Sequence, residues 1–119
     1  MSEIRLGAVE SKFADIIWNN EPLRPVELEK LAEAELNWKR TTTLTILKRL
    51  CERGIFQNKD RMITSLFSRE EFYALQSEKF VNDTFEGSLP AFLTAFGSRK
   101  KLSDKEVEEL KKVIDSMRR

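Results

Sequence analysis

The sequence contains no histidine and a single cysteine, Cys51, among its 119 residues. The commonest general base and the commonest metal ligand are therefore missing. No internal disulfide can form, and Cys51 has no imidazole partner for nucleophilic thiol chemistry. Carboxylates are plentiful, but none is grouped in a metal-ligand pattern. An enzyme is not expected from this inventory, nor is a metal or a cofactor. Long apolar runs are also lacking, none approaching the roughly 18–20 residues needed to cross a bilayer. Residues 1–7, Met-Ser-Glu-Ile-Arg-Leu-Gly, have neither the cationic region nor the apolar stretch of a secretory signal. These absences together predict a cytoplasmic protein with no direct membrane insertion. No internal repeat or low-complexity stretch is evident.

What remains is ordinary globular material, 40% hydrophobic and 34% charged. The length suits one compact domain, or a small domain with an appendage. The net charge of +1 is uninformative, but its distribution is not. Residues 1–37 hold 4 basic and 8 acidic side chains, net −4. Residues 38–69 hold 8 basic and 2 acidic, net +6. Residues 70–119 hold 9 basic and 10 acidic, net −1. A cationic segment inside a near-neutral chain can be a solvated face; it also fits contact with phosphate.

Apolar spacing predicts a helix over about 7–19, with Val9, Phe13, Ile16 and Ile17 inward and Trp18 beside them. Pro25 opens a second helix of about 25–35, lined by Val26, Leu28, Leu31 and Ala32. A third runs from about Arg40 to Arg53 and stops at Gly54. On it Thr43, Ile46, Leu47, Leu50 and Cys51 share one side, and Thr41, Thr42, Thr45, Lys48, Arg49 and Glu52 the other. Two extended runs follow, about 55–58 and 62–67, joined by the polar turn Asn58-Lys59-Asp60-Arg61. From about Arg69 the pattern is helical again, to near Gly87. Ser88 caps a short helix containing Pro90, and Ser103 with Glu106 forms a capping box for the last one.

The expected fold is mainly α with a small β-hairpin: a winged helix-turn-helix head over 1–68 and a helical dimerisation tail over 69–119. The tail is rich in apolar faces. Phe72, Tyr73, Phe80, Phe85, Leu89, Phe92, Leu93 and Phe96 lie on its first two helices, and Val107, Leu110, Ile114 and Met117 recur along its last. Three short helices cannot easily cover that surface, and pairing with a second copy would. Packing of the tail on its own head is the alternative.

The segment from Trp38 to Gly54 carries the chemistry. A recognition helix must be slim and polar where it meets base edges in the major groove. Thr41, Thr42 and Thr45 meet that need: a threonine hydroxyl can hydrogen-bond a phosphate or base, and its methyl can touch that of thymine. Lys48 and Arg49 suit the phosphate backbone. Lys39 and Arg40 stand at the helix entrance, where backbone N–H groups also attract phosphate. Lys59 and Arg61 at the wing tip would reach phosphate or the minor groove. Each piece has a plainer explanation in capping, salt bridging or core packing; their order in one chain is what points to DNA. Trp38 reads as a core plug and Cys51 as a small hydrophobe.

Trp38, Thr42, Thr45, Leu47, Arg49, Leu50 and Gly54 together resemble the signature of the BlaI/MecI/CopY family of penicillinase-type repressors. Leu6, Glu10 and Ile17-Trp18 upstream, and Phe85-Glu86-Gly87-Ser88 and Leu102-Ser103 downstream, extend the resemblance over nearly the whole chain. It implies a homodimer on a pseudo-palindromic double-stranded operator with TACA/TGTA half-sites, Thr42 and Thr45 nearest the bases. It also implies release by a membrane sensor and a regulatory protease that cuts the tail between Asn and Phe. Here the best-matching position is Ala95-Phe96, which argues against the same cut. The cysteine cluster of the copper-responsive branch is absent. Leu44 stands at a position often polar in the family, and would offer methyl surface to DNA or lean inward. Lys39 replaces a common serine at the helix cap. Two other readings stay open: a winged-helix protein-interaction module without DNA, and a repressor released by a small ligand held among the tail aromatics.

Overall fold

A computed structural model describes residues 6–118. The reading of the amino terminus from residues 1–5 lies outside the described residues. The element order is α1 (Ala8–Asn20), α2 (Pro25–Leu36), α3 (Arg40–Glu52), β1 (Phe56–Lys59), β2 (Met62–Ser65), α4 (Arg69–Phe85), α5 (Leu89–Gly97) and α6 (Asp104–Ser116). The chain forms two compact units that divide between Ser77 and Glu78, within α4. No helix among the described residues is long and apolar enough to cross a membrane.

The first unit is a winged helix. Its core draws Phe13, Ala14, Ile16 and Ile17 from α1, Leu28 and Ala32 from α2, and Leu47 and Leu50 from α3. Leu23, Ile55, Phe56, Ile63 and Phe72 complete it. The starts of α1 and α2 follow from local chemistry. Glu10 accepts from the Gly7 N–H at 3.2 Å, and Glu27 from the Arg24 N–H at 2.7 Å. A carboxylate three residues into a helix thereby satisfies a backbone donor the helix leaves free. α2 ends at Asn37, in the left-handed conformation at φ 58°, with the Trp38 N–H donating back to the Ala32 carbonyl. α3 stops at Gly54, whose φ of 80° suits glycine, and the Ile55 N–H returns to the Leu50 carbonyl.

The hairpin pairs Phe56 with Ser65, Gln57 with Thr64, Asn58 with Ile63 and Lys59 with Met62. Only Asp60 and Arg61 form its turn, at φ 55° and 61°, so Asn58 and Lys59 belong to β1 rather than to the loop. Two residues with positive φ match the right-handed strand twist. Leu23, between α1 and α2, bridges to Ile63 and adds a third backbone segment to the hairpin. Glu21 holds the same edge, accepting from the Ser65 N–H at 2.7 Å and from its hydroxyl. The wing is thus tied to the loop before α2 by both main chain and side chain.

Two expectations about the core are corrected. Val9 and Val26 are exposed. Each is the second residue of its helix, and the packed face begins a turn later. Phe72, counted from sequence with the tail, is 0% exposed and belongs to the head core. Tyr73 packs against that core as well. The Trp18 ring lies 5.8 Å from Phe72 and 5.9 Å from Tyr73, while its Nε1–H donates to the Phe67 carbonyl at 3.0 Å. Asp15 accepts from Arg69 at 2.8 Å, and Arg69 covers the Tyr73 ring at 5.1 Å. The start of α4 is therefore pinned to α1 by a ring cluster and an ion pair.

The second unit packs differently. Phe80, Phe85 and Phe92 meet edge to face at 5.6–6.1 Å, and Phe96 stacks beyond Phe92 at 6.4 Å. Ser88 caps α5 by accepting from the Ala91 N–H, and Ser103 with Glu106 closes the box at α6. These hydrogen bonds from Ser103 hold the Glu106 carboxyl below its ordinary range. No described residue of 78–118 is buried.

Candidate nucleic-acid interface

α3 separates its threonines by burial. Thr43 lies wholly in the core, where its hydroxyl donates to the Lys39 carbonyl at 3.2 Å. A buried hydroxyl needs such a partner, and the carbonyl four residues back supplies it. Thr41, Thr42 and Thr45 are exposed, as are Lys48 and Arg49 on the following turns. Leu47 and Leu50 anchor the opposite side. Two turns of helix thus present hydroxyls and methyls at their start and cations at their end. Leu44 is half-buried, between the two orientations its position allowed.

The helix entrance is open. Lys39 is the N-cap and makes no side-chain hydrogen bond to the helix. The first N–H groups of α3 consequently lack a protein side-chain cap, a geometry that favours an anion. Lys39 and Arg40 are both exposed there. At the wing, Lys59, Asp60, Arg61 and Met62 are exposed. Arg61 occupies a left-handed position that glycine would fill more easily, at a cost of about 1 kcal/mol for a side chain. A cation at that point is the sort of local departure that clusters at functional sites.

Two of the cations are not isolated. The Arg40 Nε lies 3.2 Å from the Glu29 Oε1 on α2. The Arg49 Nη1 lies 3.7 Å from the Glu10 Oε2 on α1, and Arg53 Nη1 is 3.9 Å from the other oxygen of the same carboxylate. Glu29 was not singled out by sequence, and Glu10 and Arg53 were named there only for the family resemblance and for the end of the helix, not as parts of this site. Their pairings cross between elements, and periodicity within one helix carries no sign of them. Cys51 is half-buried, and burial followed by the Glu52 charge pushes its thiol above the ordinary value, which disfavours the thiolate.

The tail residues singled out earlier fall on one unit, except Phe72 and Tyr73. Phe80, Leu89, Phe96 and Ile114 are exposed; Phe85, Phe92, Leu93, Val107 and Leu110 are half-buried. A cavity of about 600 Å³ opens between α5 and α6, walled by Phe92, Phe96, Leu102, Leu110 and Val113, with Glu106 and Glu109 on its border. Ala95 and Phe96 lie inside α5, both exposed.

The family model described as penicillinase repressor matches residues 6–116. The methicillin resistance regulatory protein MecI of Staphylococcus aureus strain Mu50 is 25% identical over 114 residues, spanning 92% of this chain and 93% of its own. The MecI of Mammaliicoccus sciuri is 24% identical with the same coverage. The penicillinase repressor of Bacillus licheniformis is 21% identical over 115 residues, spanning 93% of this chain and 90% of its own.

Proposed function

Since the chain belongs to the penicillinase repressor family, we propose that it is a transcriptional repressor that binds a pseudo-palindromic duplex operator as a homodimer. The observation that carries this reading is the division of α3: Thr43, Leu47 and Leu50 inward, Thr41, Thr42 and Thr45 outward beside Lys48 and Arg49. Thr42 and Thr45 read base edges. Lys39, Arg40, Lys48 and Arg49 meet phosphates along one strand of the groove, and Lys59 and Arg61 meet the backbone or minor groove from the wing. Bound there, the protein blocks polymerase.

The dimer rests on a second observation. No described residue of the tail unit is buried, yet it carries Phe80, Leu89, Phe96, Leu102, Val113, Ile114 and Met117 as exposed apolar side chains. A second copy of the same unit gives them a dry partner. It would also fill the cavity between α5 and α6, which leaves a small releasing ligand without its own space. Release by a protease acting in the tail is the family's route, but the family's Asn-Phe pair is Ala95-Phe96 here, so a protease of the same specificity is not expected to cut at it. Ala95 and Phe96 sit within a helix, so α5 must unwind before that bond can be held extended for cleavage.

Selection of bound duplexes from a random pool tests the whole reading. The expected product is a palindrome of TACA/TGTA half-sites, with the two half-sites on one face of the duplex. Recovery of no common sequence would overturn the operator claim. Failure to retain any duplex at low ionic strength would favour a protein-interaction module instead.

Lys59→Ala separates phosphate contact from base reading. It is expected to weaken binding to operator and random duplex equally, and to flatten the dependence of log affinity on log salt by about 1 per head. Salt titrations on both duplexes measure it. A loss confined to the operator would instead assign Lys59 to sequence reading.

A further inference from the structure

Six cations border the proposed contact face: Lys39, Arg40, Lys48, Arg49, Lys59 and Arg61. Among the described residues, carboxylates are paired with Arg40 and Arg49 and with none of the other four. Both paired cations are arginines of the recognition helix. Lysine is a point charge, whereas arginine offers a planar fork that grips phosphate or guanine with two hydrogen bonds. Two of the three arginines of this face, both on the recognition helix, have an acidic neighbour; Arg61 at the wing tip and the three lysines have none among the described residues.

The pairs are also lopsided. The Glu29 side chain is 19% exposed and that of Arg40 74%. Glu10 is 21% exposed and Arg49 51%. Glu10 is further fixed by the Gly7 N–H. In each pair the carboxylate is the fixed post and the guanidinium the free arm. The carboxylates come from two different helices, α2 at the entrance of α3 and α1 near its end. One sits beside the first residue of the recognition helix and the other about two and a half turns on.

We infer that Glu29 and Glu10 are positioning residues that act as electrostatic brakes: they hold Arg40 and Arg49 on the protein's own surface and so lower the affinity of the head for duplex phosphate. The inference rests on the DNA-binding reading above. In the free protein Arg40 is paired with Glu29, and Arg49 shares Glu10 with Arg53. On a random duplex, where docking is loose and driven by diffuse charge, the arginines stay with their carboxylates and release no counterions. On an operator the fixed geometry brings the phosphates close enough for the arginines to leave. Exposed ion pairs are weak, corresponding to about fivefold at most in an equilibrium constant, so the brake is graded and not a lock.

Glu29→Gln removes the charge and keeps the shape. Glu10→Gln does the same and leaves an amide oxygen to accept from Gly7, as glutamine does in a capping box. Fluorescence titrations of wild type and both variants, on operator and on random duplex over a range of salt, read the effect. Each variant should bind both duplexes about two- to fivefold more tightly per head. On random duplex the salt slope should steepen by about 1 per head, because a newly freed arginine now releases counterions. The gain from Glu29→Gln should vanish in an Arg40→Gln background. A gain that persists there would reduce Glu29 to an ordinary distant charge and overturn the inference. Unchanged affinity would overturn it too, and a loss would mean that the carboxylates aim the arginines at phosphate. Wild type that ignores every duplex would refute the repressor reading itself, a result separate from any of these.

Discussion

Ile114→Asp is expected to turn the proposed dimer into monomers and to lower operator affinity by about 10²–10⁴-fold. Ile114 lies on α6, 46% exposed, in line with Val107, Leu110 and Met117. Its exposure means that the protomer hardly depends on it, so an aspartate there leaves α6 free to form. In the paired state the same carboxylate would be buried twice, once from each copy, against the apolar side chains of the partner. Burying an unpaired charge costs several kcal/mol even after relaxation. Two such charges exceed what one short helical interface can offset. The loss of DNA affinity follows from linkage alone: a dimer binds its second half-site at the high effective concentration set by the first, and a monomer does not. Sedimentation at micromolar concentration reads the assembly, and gel shift on the same samples reads the affinity. Dimers that persist with Ile114→Asp would place the interface elsewhere on the tail. Phe80→Asp is less clean, because Phe80 packs on Phe85 and Phe92 within its own unit, so it would also loosen the protomer.

The elements of the head were legible because their determinants are local. Pro25 at the start of α2, Gly54 after α3 and the placing of Thr41, Thr42 and Thr45 away from Leu47 and Leu50 are each read from neighbouring turns of one helix. The inward turn of Thr43 beside exposed Thr42 follows from the helical period alone. What failed to show in the sequence depends on partners distant along the chain. Phe72 has the same apolar spacing as the tail aromatics, and only its meeting with Trp18 assigns it to the head. Leu23 joins the wing through Ile63, forty residues on, and Glu21 through Ser65. The acids beside Arg40 and Arg49 come from α2 and α1. Val9 and Val26 illustrate the limit of periodicity: it gives the face of a helix but not the point along its axis where the core begins. The wing turn shows another. Asp60-Arg61 lacks the glycine that ordinarily marks a tight hairpin, so its two-residue length was not visible.

Thr45→Ala should cost about 1–3 kcal/mol per operator half-site while leaving the affinity for random duplex unchanged. Across a palindrome read by two heads the penalties add, so the specificity ratio should fall by roughly 30-fold to 10⁴-fold. The position is chosen by geometry. Thr45 is exposed, one turn after Thr41 and Thr42 and one turn before Lys48 and Arg49, at the centre of the face rather than at its charged end. Alanine keeps the Cβ and is the better helix former. The head should therefore be as stable as before, and thermal unfolding of the variant checks this directly. Any change in binding then belongs to the hydroxyl and the methyl. Loss of the hydroxyl leaves a base edge dry and unpaired in the closed interface, which costs more than the bond itself contributed. The contrast with Lys59→Ala is what makes the result decisive. A point charge acts on every duplex alike, whereas a threonine at a base edge acts only where the matching base is present. Equal losses on operator and random duplex for Thr45→Ala would mean that this hydroxyl touches phosphate, and the reading of sequence would have to pass to Thr42 and its neighbours at the helix entrance.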